Sequence, residues 1–233
     1  MSCPLVFDLC EPRDDILAGG VPESEFAANL ADVLLGKASD DYKVPARFFA
    51  NTYPTGGVKE LLKNVCRRLS GTGAALSSIF RLDTAFGGGK THGLIALVHA
   101  ARGMQGVSNV DEFVDPALLP SQPVRVAAFD GERADPANGR PMGDGIRART
   151  PWGEIAYQLG GAAGYEVVRS SDEGRVAPGV DTLAELFGDE PVLIVLDELG
   201  EYLRKSRELA GRDQLPAFLK ALFSAVDRSP NAA

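Results

Sequence analysis

"TAFGGGKTHG", Thr84 to Gly93, sets three consecutive glycines against a lysine and a threonine. It lies between a short stretch of strand character, "LSSIFRLD" (76–83), and a helix-like one, "HGLIALVHAARG" (92–103). A backbone this bare curls with no Cβ in the way, so its N–H groups can converge on phosphate oxygens. Gly89, Lys90 and Thr91 fill the last three positions of the phosphate-binding pattern G-x-x-x-x-G-K-[ST], and the strand-loop-helix setting is the one that pattern requires. A helix opening near Lys90 adds the positive end of its dipole. On this reading Ala85, Phe86, Gly87, Gly88, Gly89, Lys90, Thr91 and His92 enclose the phosphates of ATP. Lys90 reaches the β- and γ-phosphates, and the Thr91 hydroxyl takes one position on Mg²⁺. The first pattern position holds Thr84, where glycine or alanine is usual.

A second element answers the first. "PVLIVLDELGEYL" (191–203) carries five apolar residues, Val192 to Leu196, and then Asp197 and Glu198. A buried strand ending in two acids is what a Walker B strand looks like. Asp197 holds Mg²⁺ through water, and Glu198 orients the attacking water. Each motif alone is open to a bland reading, a glycine turn with a stray lysine or a buried strand with solvated acids. Together, in this order, they predict nucleoside triphosphate binding.

Working outward, "VPESEFAANLADVLLG" (21–36) and the stretch from Val58 to Leu69 show apolar residues at helical spacing. "DDYKVPARFFANTYPTGG" (40–57) is turn-rich, but its aromatic residues predict that it packs down on something. "PVRVAAFD" (123–130) reads as another strand, "GERADPANGRPMGDGIRARTP" (131–151) as a long loop, and Thr150-Pro151 as a helix start. Strands and helices alternate and the strands are near-continuously apolar, which predicts a parallel sheet covered on both faces.

His92 and His99 stand seven apart on the helix after the loop, a spacing suited to packing or polar contacts rather than to a metal pair. The loop arginines (Arg133, Arg140, Arg147, Arg149) are either solvated charges or contacts for phosphate or nucleic acid.

The 32 acidic and 24 basic residues give a net charge of −8, which argues against a surface that coats nucleic acid generally, while a local basic groove stays open. Three cysteines (Cys3, Cys10, Cys66) form no CxxC pair and are odd in number, and no apolar run approaches the length of a membrane span. A cytoplasmic protein without a membrane partner is expected.

Six segments resemble one family: "CEPRDDILAGG", "FAANLADVLLG", "FFANTYPTGGVKELL", "RLDTAFGGGKTHGLIAL", "PWGEIAYQLGG" and "VLIVLDELGEYL". They are similar to the N-terminal part of the AAA+ ATPases labelled domain of unknown function 499, across essentially the whole chain. The resemblance implies ATP and Mg²⁺ as cofactors. It also implies a setting in phage-defence or DNA-transaction systems, with nucleic acid, defence-system proteins or further copies of the chain as partners. It implies one more strand, carrying a polar sensor residue, between the strands at 76–83 and 192–196 and after the helix "LPAFLKALFSAVDRS" (215–229). That strand, the sensor and the arginine finger would then fall past Ala233, and these 233 residues alone would be inactive.

The expected fold is therefore α/β: a P-loop NTPase core (76–233) with a mostly parallel sheet, truncated before the sensor strand and preceded by an N-terminal helical extension (1–75). The expected function is an ATP-binding and ATP-hydrolysing AAA+-type module. A nucleotide-gated interaction or switch protein with little hydrolysis and a nucleic-acid translocase stay open beside it.

Overall fold

The computed structural model describes residues 11, 17, 29–73, 76–83, 89–209 and 213–233. Ala85, Phe86, Gly87 and Gly88, together with the helix start expected over 21–28, lie outside the described residues.

The helices α1 (Leu30–Leu34), α2 (Asp40–Lys43), α3 (Pro45–Ala50) and α4 (Gly56–Leu69) precede the glycine segment. Asn29 caps α1 through its side chain, and Gly36 follows the helix in the left-handed region at φ 68°. The aromatic stretch packs down as expected: Phe48 and Phe49 of α3 are fully buried. In α4 the apolar stripe Leu62, Val65 and Leu69 turns inward, with Thr55 as its cap. Helix α5 (Lys90–Ala101) is buried all round from Gly93 onward, and α6 (Val110–Phe113) follows.

Among the described residues, β1 (Arg125–Asp130) and the strand Val192–Asp197 form a parallel pair in the register Arg125↔Val192 to Asp130↔Asp197. Between them in sequence come the hairpin β2 (Arg140–Gly143) and β3 (Ile146–Ala148), then α7 (Pro151–Gly174) and α8 (Val180–Phe187). The strand Val192–Asp197 is β4, and α9 (Leu199–Lys205) and α10 (Gln214–Arg228) follow it. Side-chain alternation splits the core. Ala128, Leu193 and Val195 face the layer of α1, α3, α4 and α5, while Ala127, Phe129 and Val192 face that of α7, α8 and α10. The result is a mixed α/β chain with a small parallel sheet covered on both faces, as its apolar strands predict.

Three local readings need correction. Leu76–Asp83 forms no strand among the described residues. Strand geometry persists only as part of a hydrogen-bonded ladder, and this segment has no ladder. It is held instead by Ser78 Oγ donating to Asp227 Oδ1 at 3.1 Å, with Phe80 and Leu82 packed on the core. The expected long loop 131–151 contains the β2–β3 hairpin, whose turn residues Asp144 and Gly145 both take positive φ, 52° and 73°. The helix from Pro151, read from sequence over "WGEIAYQLGG" (152–161), runs on to Gly174 across a break at Gly160 and Gly161, where the backbone leaves helical geometry.

Both sheet edges are informative. On the outer edge of β1, Gln158 of α7 satisfies Ala128 twice: its Oε1 accepts from the Ala128 N–H at 3.0 Å, and its Nε2 donates to the carbonyl at 2.8 Å. On the outer edge of β4 the last residues start a parallel pairing. Val192 N–H donates to Asn231 O at 3.1 Å, Ala233 N–H to Val192 O at 3.0 Å, and Ile194 N–H to Ala233 O at 2.9 Å. Buried Arg68 of α4 holds this tail, donating to the carbonyls of Ala232, Val226 and Ser229. Beyond Ile194 the edge borders an apolar groove of about 440 Å³, walled on its far side by Ile79, Phe80 and Leu82. The groove thus lies between the 76–83 segment and β4.

Candidate functional site

Gly89 sits in the left-handed region at φ 74° and ψ 24°, a conformation glycine takes without strain, and its carbonyl accepts the α5 bond from Gly93 N–H at 2.9 Å. Lys90 and Thr91 form the first turn of α5, and the burial of the rest of that helix fixes this end against β4. There Thr91 Oγ1 donates to Asp197 Oδ2 at 3.0 Å, across 106 residues of chain. Lys90 and Asp197 both open onto one end of the apolar groove beside β4. Of the residues expected around the phosphates, the structure brings together Gly89, Lys90, Thr91 and Asp197.

Glu198 is set by backbone. It occupies the left-handed region at φ 49° and ψ 39°, a conformation costing a non-glycine residue about 1–3 kcal/mol. Its N–H donates to Asp197 Oδ1 at 3.1 Å, and its carbonyl accepts from the Glu201 and Tyr202 N–H groups at 3.0 and 3.3 Å, opening α9. Gly131, the first residue after β1, presses on this turn. It donates its N–H to Asp197 O at 3.0 Å, and a Cβ there would lie 2.1 Å from Glu198 O. Lys205 of α9 clamps the same loop from the other side, donating to the carbonyls of Gly131, Glu132 and Ala134. The sequence reading missed Gly131. Its signal was an Asp-Gly pair directly after an apolar strand.

His92 turns toward the N-terminal helices. Its ring stacks on Phe48, centroids 4.4 Å apart, and its Nε2 lies 2.9 Å from Thr52 Oγ1. The Thr52 hydroxyl proton already goes to Phe48 O at 2.6 Å, so His92 carries its proton on Nε2 and donates it. His99 Nε2 in turn faces a carbonyl, Tyr42 O, at 2.8 Å. Burial holds both imidazoles below the usual histidine range, which keeps them neutral at pH 7. The pair rivets α2 and α3 to α5.

Three of the four loop arginines are tied within the fold. Arg133 makes a two-pronged pair with Asp32, both contacts at 2.6 Å, and Arg140 meets buried Glu154 at 3.2 Å. Arg147 donates to the carbonyls of Asn138 and Gly139. Burial pushes the Glu154 carboxyl up to about 7 despite Arg140. It likewise pushes the free Cys66 thiol up to about 12, leaving it inert. No group of three or more His, Cys, Asp or Glu residues placed to hold a metal occurs among the described residues, and none of their helices is long and apolar enough to cross a membrane.

The geometry defines a mixed α/β chain in which a glycine-led helix start meets an acid-terminated strand. The chain belongs to the family described as the DUF499 N-terminal domain, whose model matches residues 7–233. No curated protein and no solved structure matches it.

Proposed function

We propose that this chain binds ATP with Mg²⁺ and serves as the nucleotide-hydrolysing AAA+-type P-loop module of its protein. The observation that carries this reading is the Thr91–Asp197 hydrogen bond. It joins the ends of two motifs that sequence alone could only set in order. The residues fit the metal: Mg²⁺ takes hard oxygen ligands, and one hydroxyl beside one carboxylate suffices where phosphate and water supply the rest. Thr91 and Asp197 would hold the ion, which when bound neutralises charge on the β- and γ-phosphates.

Lys90 contributes a fixed charge at the helix start, where the backbone N–H groups of a first turn have no partner within the helix. Glu198, exposed and one residue past Asp197, accepts a proton from the attacking water. Action in a phage-defence or DNA-transaction setting, with nucleic acid, defence proteins or further copies of the chain, belongs to the same proposal and rests on the family resemblance.

Calorimetric titration with ATP, with and without Mg²⁺, tests it. Wild type should bind. Lys90→Ala should weaken binding roughly 10- to 150-fold, the loss of one charge-assisted contact of about 1.5–3 kcal/mol. Equal affinities would overturn the reading. A nucleotide-gated switch would bind ATP alike and hydrolyse it barely, and a translocase would hydrolyse faster with DNA, an increase that fades with salt.

A further inference from the structure

A second cavity, of about 520 Å³, borders the same 79–82 segment as the β4 groove but lies against α4 rather than β4. It lies between the first turns of α4, that segment and the start of α5, and it shares Gly89 and Lys90 with the phosphate side. Val58, Leu61 and Leu82 make its walls apolar, and Phe80 adds an aromatic ring. Gly93 brings the α5 backbone close to the cavity wall, and a Cβ on it would lie 3.4 Å from Leu82 Cδ2. One rim is polar: Asn64 Nδ2 donates to Glu60 Oε1 at 2.9 Å, leaving that carboxylate's other oxygen as an acceptor.

We infer that this cavity takes the nucleoside end of the triphosphate, its base between the apolar walls and its sugar toward the Glu60–Asn64 rim. The inference rests on the phosphate reading above and extends it to the part of the ligand that loop leaves unaddressed. Three features select that occupant. A base offers two flat apolar faces and a polar edge, which matches walls of Val58, Leu61, Leu82 and Phe80 beside a donor–acceptor rim. The volume lies within the range of small-molecule sites, about 300–1,000 Å³. The cavity also adjoins Lys90, so one ligand can span both. The β4 groove, by contrast, is bounded by a strand edge and offers the main chain a partner rather than a base a slot.

Gly57 supplies the test. It lines the cavity, its φ lies outside the left-handed region, and a Cβ on it meets nothing within 4 Å. A side chain at Gly57 therefore starts without a clash at Cβ, so Gly57→Phe puts a ring at the cavity lining, and Phe80→Ala removes one from it. ATP and inorganic tripolyphosphate are titrated into wild type, both variants and Lys90→Ala, with melting temperatures confirming the fold. Wild type should bind ATP more tightly than tripolyphosphate. Gly57→Phe and Phe80→Ala should each weaken ATP binding about tenfold, leaving tripolyphosphate unchanged, whereas Lys90→Ala should weaken both. Folded Gly57→Phe or Phe80→Ala protein that binds ATP like wild type overturns the cavity assignment and leaves the phosphate reading standing. So does wild type that prefers neither ligand. Wild type that binds neither ligand overturns the phosphate reading and this inference with it.

Discussion

Thr91 Oγ1 and Asp197 Oδ2 are hydrogen-bonded at 3.0 Å, although 106 residues separate them. Neither side chain is fully buried, so the contact is held by what lies behind it: α5 packed on one face of the sheet, and β4 locked in register with β1. The two motifs meet because both elements are rigid.

Asp197→Asn should keep the fold and remove the Mg²⁺ dependence of ATP binding, because an amide oxygen is a far poorer ligand for a hard cation than a carboxylate. Thr91→Val should do the same in part. Losing this hydrogen bond costs about 0.5–1.5 kcal/mol of stability, visible as a small drop in denaturation midpoint. Titrations at matched ATP with and without Mg²⁺ check the binding. A Mg²⁺ effect retained in Asp197→Asn would remove this residue from the metal site.

Gly131→Ala should disturb Glu198 specifically. The new Cβ would need the space of Glu198 O, 2.1 Å away, so the turn must shift, at about 1–3 kcal/mol. In a form of the protein that turns ATP over, hydrolysis should fall while ATP affinity stays within about twofold of wild type. Glu198→Gln should reproduce this pattern without loss of stability, because it removes the carboxylate charge and leaves the backbone alone. Wild-type turnover in Glu198→Gln would remove the residue from catalysis.

Arg68→Met should release the C-terminal tail. It strips the donor from three carbonyls, each costing about 1–3 kcal/mol where no water replaces it. Hydrogen exchange should quicken at Val192 and Ile194, whose N–H groups reach the tail. Leu193 and Val195, which alternate toward β1, should keep their protection. Uniform acceleration across β4 would mean that Arg68 supports the whole sheet rather than its edge.

Glu154 makes stability pH-dependent. Its folded pKa, about 7, lies above the ordinary glutamate value because burial outweighs the nearby Arg140. A raised folded pKa means that the native state binds the extra proton, so this contribution is complete below the unfolded pKa near 4.5 and is lost as pH rises through about 7. Melting temperatures of wild type minus those of Glu154→Gln should fall between about pH 5 and pH 8. A flat difference would show that Arg140 compensates the buried charge at every pH.

The helices at Lys90 and Pro151, the cap at Thr150 and the apolar strands β1 and β4 were legible because each signal is local. Helices close their hydrogen bonds within a few residues, and a strand buried on both faces must be apolar throughout. The two acids that end β4 and open the turn after it, and the glycine-lysine-threonine run, could be read the same way. The hairpin over 140–148 was missed although Asp144-Gly145 advertises it, because a loop rich in proline and arginine hid a two-residue signal.

The sequence by itself thus determined the apolar strands β1 and β4, the helices that flank them and the residue types at Lys90, Thr91, Asp197 and Glu198. The tertiary structure decided which of these meet: that Thr91 touches Asp197, that His92 faces Thr52 and Phe48, and that Gly131 bears on Glu198. It also decided that 76–83, apolar enough for a strand, is not one. A strand is a property of a pair of segments, since its hydrogen bonds close only on a neighbour, and no single stretch of sequence carries that neighbour.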